Sequence, residues 1–209
     1  MSVPSKTSSL SGESPDWNAH YAAGDTPWDM DAPSPPLQAF AREGILPAGR
    51  RVLIPGCGSG HEVRFLGELN YVAIGVDIAP LAVLKASQRI TGIPNATVLC
   101  LDLLDPAATA ELAPVDWAFD QTLFCALPPA RRADWAAAVA RLIQPGGEIW
   151  ALAFRTENTD HPPYDSPAEV IESHLQHLGF QPLERRILNS ESHPARKGRE
   201  TLVRMRRSE

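Results

Sequence analysis

The chain has 209 residues, a formal net charge of −6, and 44% hydrophobic against 21% charged residues. That length carries one domain with a sizeable core, the composition is that of a globular protein, and the negative balance disfavours nucleic acid as the main partner. No apolar run approaches the ~20 residues that a membrane helix needs. The N-terminus carries Lys6 but no apolar segment of the secretory kind. Cys57, Cys100 and Cys125 leave one thiol over in any pairing, and no Cys-x-x-Cys or Cys/His ligand spacing is present. They read as reduced thiols of a cytoplasmic protein, with no metal site.

Residues 1–15 are rich in Ser and Pro, cannot bury enough surface to offset ordering entropy, and are expected to be disordered. Residues 16–45 hold Trp17, Tyr21, Trp28 and Phe40 among several prolines, with short helices expected near Trp17–Ala23 and from Pro36 to Glu43. From residue 51 the pattern alternates. Strand Arg51–Ile54 stops at Pro55, and Gly60–Asn70 has helical spacing through Val63, Leu66 and Leu69. Strand Tyr71–Asp77 follows, then a helix opened by Pro80, where a missing N–H costs nothing, and running to about Thr91. Ala96–Leu101 and Val115–Phe119 are the third and fourth strands. Pro129–Ile143 is an Ala-rich helix stopped by Pro145-Gly146-Gly147. Strand Glu148–Phe154, a helix from Ser166 to Leu178 and two strands, Phe180–Leu188 and Thr201–Arg206, complete the chain. The expected fold is α/β, Rossmann-like, with a seven-stranded mostly parallel sheet whose last strand runs antiparallel, all in one domain over 16–209.

Ligands of such sheets bind at the carboxyl ends of the strands, and the chemistry-bearing residues cluster there. Gly56, Gly58 and Gly60 follow the first strand, where a turn without Cβ atoms lets a ligand approach the backbone. His61 stands where a dinucleotide fingerprint would want its third glycine. Asp77 ends strand two, placed to accept from ribose hydroxyls, with a role in capping the next helix as the alternative. Asp102 and the Leu103 N–H follow strand three, placed for an adenine ring. Asp120-Gln121-Thr122-Leu123 follows strand four. Arginines crowd the stretch from Arg185 to Arg207, either as a protected, solvated edge strand or as an attractant for an anionic substrate.

Taken together, these residues resemble the thiopurine S-methyltransferase superfamily over nearly all of 16–207. The matching pieces are Trp17 with Tyr21, Thr26-Pro27-Trp28-Asp29, Pro55-Gly56-Cys57-Gly58, Val76-Asp77-Ile78, Phe119 through Leu127, and Pro162-Pro163-Tyr164. Phe124-Cys125-Ala126-Leu127 and His193 through Gly198 look like its halide/thiocyanate (thiol) methyltransferase branch. The chain departs from both at Gln121, where thiopurine methyltransferases carry arginine and the halide branch an aromatic residue.

The resemblance implies a class I S-adenosylmethionine-dependent methyltransferase, its cofactor held by Trp17, Tyr21, Trp28, Pro55, Gly56, Cys57, Gly58, Asp77, Ile78, Asp102, Leu103, Asp120 and Gln121, with residues 16–45 as a lid. The implied acceptor is a small nucleophile such as a thiol, thiocyanate, bisulfide or halide. Gln121 and Tyr164 are expected to position it, and Phe124 and Phe154 to wall its pocket. A chalcogen or larger-thiol methyltransferase and a non-catalytic S-adenosylmethionine sensor stand as alternatives. The expected partners are small molecules, with no nucleic acid or membrane, and the expected state is a monomer or weak dimer.

Overall fold

A computed structural model describes residues 15–46 and 50–209. The elements run α1 (Trp17–Ala23), α2 (Pro35–Arg42), β1 (Arg51–Pro55), α3 (His61–Glu68), β2 (Val72–Asp77), α4 (Pro80–Arg89), β3 (Ala96–Cys100), β4 (Val115–Asp120), α5 (Leu123–Ala126), α6 (Arg132–Leu142), β5 (Ile143–Phe154), α7 (Ala168–Gln176), β6 (Phe180–Leu188) and β7 (Glu200–Arg207). The seven strands form one sheet in the order β3-β2-β1-β4-β5-β7-β6. β1 pairs parallel with β2 and β4, while β7 pairs antiparallel with both β5 and β6.

Alternation along the strands decides the layering, because successive side chains leave opposite faces. Val52, Ile54, Trp117, Phe119, Trp150 and Leu152 point to one face, where Leu37 and Phe40 of α2 and Val63 and Leu66 of α3 cover them. Leu53, Ala118, Ile149, Ala151 and Ala153 point to the other, beneath Trp135 and Val139 of α6 and Ile171 and Leu175 of α7. One sheet thus divides two cores. The segment 16–45 splits accordingly: α2 belongs to the core, and only the stretch around α1 and Trp28 lies over the strand ends.

Most elements match the sequence pattern, and the exceptions have local causes. β5 begins at Ile143 rather than Glu148, because Gln144-Pro145-Gly146-Gly147 is absorbed as an irregularity between the pairs Val115↔Ile143 and Trp117↔Glu148. Gly146, at φ +76°, makes that kink possible. α6 starts only at Arg132, after a 3₁₀ turn over Pro129–Arg131. The four-residue α5 has no periodic signature. It forms because the Asp120 carboxylate receives the Phe124 N–H at 3.3 Å and so fixes the chain direction as it leaves β4. The expected disordered tail falls on residues 1–14, outside the described residues, and on Pro15.

Asp120 alternates with Phe119 and therefore faces the α6 side, where its second oxygen accepts from Trp135 Nε1 at 2.7 Å. The carboxylate is buried beneath Trp135, itself fully buried. Burial pushes its pKa up from 3.8 to about 6, and the hydrogen bonds from Phe124 N and Trp135 pull part of the way back. The folded state therefore holds this proton more tightly than the unfolded chain does. The stabilisation linked to it is complete below about pH 4 and is lost as pH rises through about 6, a change of roughly 3 kcal/mol at about 1.4 kcal/mol per pKa unit. Carboxyl-detected NMR titration is expected to show one aspartate with a midpoint near pH 6. In Trp135→Phe that midpoint should rise further, since the lost N–H favours the charged form; a midpoint near 4 in the native protein would refute the assignment.

Candidate active site

The carboxyl ends of β1, β2, β4 and β5 open into a cavity of about 510 Å³, within the roughly 300–1,000 Å³ typical of small-molecule sites. Asp77 and Ile78 line it beyond β2, Pro55 through Ser59 beyond β1, Gln121 through Ala126 (Phe124 excepted) beyond β4, and Phe154 at the end of β5. Trp17, Tyr21 and Trp28, the Pro162-Pro163 turn and Ala195-Arg196 complete the walls.

The glycine turn is shaped by close approach. Gly58 sits at φ +52°, and a Cβ there would lie 2.8 Å from the Tyr21 hydroxyl. Gly60, at φ +80°, would drive a Cβ to 2.7 Å from that of Ala86, so its absence lets α4 pack against the turn. Asp77 ties the turn to the next loop: Oδ2 accepts from Gly58 N at 2.8 Å and Oδ1 from Ala79 N at 2.9 Å. Burial raises its pKa, against the lowering effect of those backbone bonds. The carboxylate braces Ala79, the residue before Pro80, but does not cap α4, whose first turn has no side-chain cap.

The roof is pinned from several sides. Asp16 caps α1 through Ala19 N, and Asn18 Oδ1 accepts from Leu81 N at 2.9 Å, seating α1 on the start of α4. Trp28 packs edge-on against Trp17, His20 and Tyr21, with centroids 5.3, 5.6 and 6.0 Å apart, and its Nε1 donates to the Tyr21 hydroxyl at 3.3 Å. Burial lifts the Tyr21 phenol to about 12, so it stays protonated. Asp29 accepts from the Ser59 hydroxyl and from Asp31 N and lies 3.1 Å from His61 Nε2. The His61 ring beside it is the largest reason its carboxyl is held far below the usual range. On the far side, Arg196 Nη2 donates to the Trp28 carbonyl at 3.2 Å.

A polar chain crosses the cavity. Glu62 Oε1 accepts from Ser34 N at 2.8 Å and, with the Gln121 amide oriented to satisfy both neighbours, from its nitrogen at 2.9 Å. The Gln121 oxygen accepts from Arg196 Nη1 at 3.0 Å, and Glu200 Oε1 lies 3.5 Å from the same nitrogen. Burial raises the Glu62 pKa, partly offset by the Ser34 N–H.

The structure brings Trp17, Tyr21, Trp28, Pro55, Gly56, Cys57, Gly58, Asp77, Ile78, Gln121 and Phe154 to the cavity wall. Five expected residues stand outside it. Asp120 faces α6, as described above. Phe124 is buried between Trp135, 4.7 Å away, and the Arg132 guanidinium, 4.8 Å from its ring, because α5 turns it toward that core. Tyr164 is drawn inward by its N–H, which donates to Cys125 O at 2.7 Å, leaving the two prolines before it on the wall. Leu103 is buried in the core, and Asp102 Oδ1 is occupied by Leu104 N at 2.8 Å.

Sequence reasoning passed over Asp29, Ser59, His61, Glu62 and Arg196 as site residues. Two had a signal, since Asp29 and Arg196 lie in the pieces that carried the family resemblance; Glu62 reads only as an acidic first-turn residue. The C-terminal arginines separate by environment. Arg185 of β6 is engaged by Glu169 and Glu172 of α7, and Arg204 and Arg206 of β7 by Glu148 of β5 and, for Arg204, Glu184 of β6, whereas Arg196 is turned to the cavity.

Comparison with known proteins identifies the family and the fold. The family model described as thiopurine S-methyltransferase matches residues 13–207. A probable thiol methyltransferase 2 of Arabidopsis thaliana is 34% identical over 92% of this chain and 84% of its own length. Thiocyanate methyltransferase 1 of the same plant is 30% identical over 91% and 84%. A TehB-like SAM-dependent methyltransferase from Corynebacterium glutamicum superposes with a TM-score of 0.64 at 18% identity, covering 92% of this chain and 94% of that one, and so shares the fold. With the sheet order and the cavity at the strand ends, these matches identify the chain as a member of the thiopurine S-methyltransferase family, an S-adenosylmethionine-dependent methyltransferase of class I fold.

Proposed function

We propose that this enzyme methylates a small sulfur or halide nucleophile: a thiol, thiocyanate, bisulfide or halide. The observation that carries the reading is the end of the cavity over β4 and β5. There Leu123, Ala126, Phe154 and the Pro162-Pro163 turn form an apolar wall, and Arg196 supplies the cation. Such a wall strips water from a soft anion while the guanidinium compensates its charge. The relatives named for thiol and thiocyanate methylation support the same acceptor class.

The residues over β1 and β2 fit S-adenosylmethionine. Gly58 leaves room at the turn where a Cβ would intrude, the aromatic roof offers ring faces to a cation, and Asp29, Asp77 and Glu62 make this end negative. We assign the ribose to Asp77, the adenine to Ile78 and the neighbouring end of β3, and the sulfonium side to Tyr21, Trp28 and Gln121. At β3 the Leu103 N–H and Asp102 Oδ2 take no hydrogen bond among the described residues and are available to the ring. When bound, the cofactor supplies an electrophilic methyl group on a positively charged sulfur. The chain's part is to orient the acceptor in line, an alignment that can supply roughly 7–11 kcal/mol of the barrier.

Headspace gas chromatography over iodide, bromide, thiocyanate, bisulfide and small thiols tests the acceptor. At least one methylated volatile is expected, and none from the whole panel would sink the proposal. Asp77→Asn retains the carboxamide oxygen but removes the charge. Calorimetry with S-adenosylhomocysteine should then show binding weaker by roughly 1.5–3 kcal/mol, the scale of a charge-assisted hydrogen bond. An unchanged affinity would mean that Asp77 only braces the two loops.

A further inference from the structure

The acceptors proposed above differ in one respect: a thiol arrives with a proton, whereas thiocyanate and halides do not. The cavity therefore needs a base for some substrates and not for others. Most of its titratable groups are already committed. Asp29 is saturated by Ser59, Asp31 N and the His61 ring, and Asp77 is taken up by two backbone N–H groups at the β2 end. Tyr21 and Cys125, each with a pKa raised to about 12, hold their protons, as does Cys57, whose pKa is also raised well above normal. Glu200 lies behind Arg196 and does not reach the wall.

Glu62 is different. It stands in the first turn of α3, on the cavity wall. Its Oε1 is fixed by Ser34 N and by the amide of Gln121, the residue that links it to Arg196. No other described residue donates to its Oε2. A carboxylate with one oxygen clamped by two neighbours and the other engaged by none, next to the residue that leads to the anion-compensating guanidinium, is placed to receive a proton from an acceptor held there. We propose that Glu62 is the general base for protonated sulfur acceptors, a role that rests on the methyl-transfer reading of this cavity.

In that step the acceptor sulfur forms a bond to the methyl carbon. The bond between that carbon and the cofactor sulfur breaks with its electron pair going to the departing sulfur, and the S–H proton passes to Glu62 Oε2 and then to water. Burial raises the carboxyl's pKa above that of an exposed glutamate, which makes it the better proton acceptor of the two. Iodide and thiocyanate need no such transfer.

The test is Glu62→Gln, whose amide oxygen can still accept from Ser34 N and Gln121. Native and variant enzymes are assayed in parallel with an alkyl thiol, an acidic aryl thiol and thiocyanate, and S-adenosylhomocysteine binding is followed by calorimetry. The ratio of alkyl-thiol to thiocyanate kcat/KM is expected to fall by about 10²–10⁴-fold, the usual contribution of general acid–base catalysis. The deficit should shrink for the aryl thiol, already ionised at the assay pH, and the native acidic limb of the alkyl-thiol pH profile should disappear. An unchanged ratio would overturn the proposal. So would a parallel loss of all activities together with weaker S-adenosylhomocysteine binding, which would make Glu62 a cofactor ligand. A native enzyme inactive on every acceptor would overturn the methyl-transfer reading as well, and is thereby distinguished from failure of the base alone.

Discussion

The site depends on the Asp77 carboxylate, which receives the Gly58 N–H on one oxygen and the Ala79 N–H on the other. Those two donors belong to the loops leaving adjacent parallel strands, β1 and β2. Parallel strands share no short connection, so nothing local holds their ends in register beyond the last ladder bond. One carboxylate does so here, and the turn carrying Gly56, Gly58 and Gly60 is thereby set at a fixed height above the sheet. Tyr21 then closes on Gly58, Trp28 closes on Tyr21, and Asp29 closes on Ser59 of the same turn. The roof is thus referenced to the floor through contacts that meet at residues 58 and 59.

The electrostatics of the cavity follow its length. Asp29, Asp77 and Glu62 give the β1–β2 side a negative character, while Arg196 stands toward β5. Arg196 is not a bare charge, because Gln121, the Trp28 carbonyl and Glu200 share it. A guanidinium restrained in this way keeps its plane and loses little conformational freedom when it meets an anion. The polar chain from Glu62 through Gln121 to Arg196 also explains how a glutamine suits this site. A glutamine offers a donor to the carboxylate and an acceptor to the guanidinium, whereas an arginine offers only donors and a phenylalanine or tryptophan ring no acceptor.

Much of this was legible in the sequence. Strand and helix periodicity located the elements because the sheet is covered on both faces, and Gly56, Gly58 and Asp77, at strand ends in the sequence pattern, line the cavity. The failures share a physical cause. Asp120 and Phe124 follow a strand end just as Gln121 and Leu123 do, yet period-two alternation and the turn of α5 send them into the core beside Trp135. Strand-end position alone does not say which way a side chain faces. Tyr164 was misread for a related reason, since a backbone bond to Cys125 decides its direction, and such bonds leave no compositional trace. Glu62 and Arg196 were overlooked because charged residues on short helices and turns read as solvated. Only the tertiary packing of Ser34 and Trp28 against them shows otherwise.

The hydrogen bond from Arg196 to the Trp28 carbonyl joins residues 168 positions apart. Strand β7, just beyond Arg196, lies between β5 and β6 although it follows both in the chain. During synthesis, therefore, β5 presents an unpaired edge until β7 emerges, and the roof over the cavity lacks its second fastening for the same interval. Such an edge is a template for pairing with other chains, and closure between distant segments is slow relative to local folding. A partly made chain accordingly carries the glycine turn and Asp77 before it has Arg196 to finish the cavity. The order of translation thus places completion of the β4–β5 end of the cavity after that of the β1–β2 end.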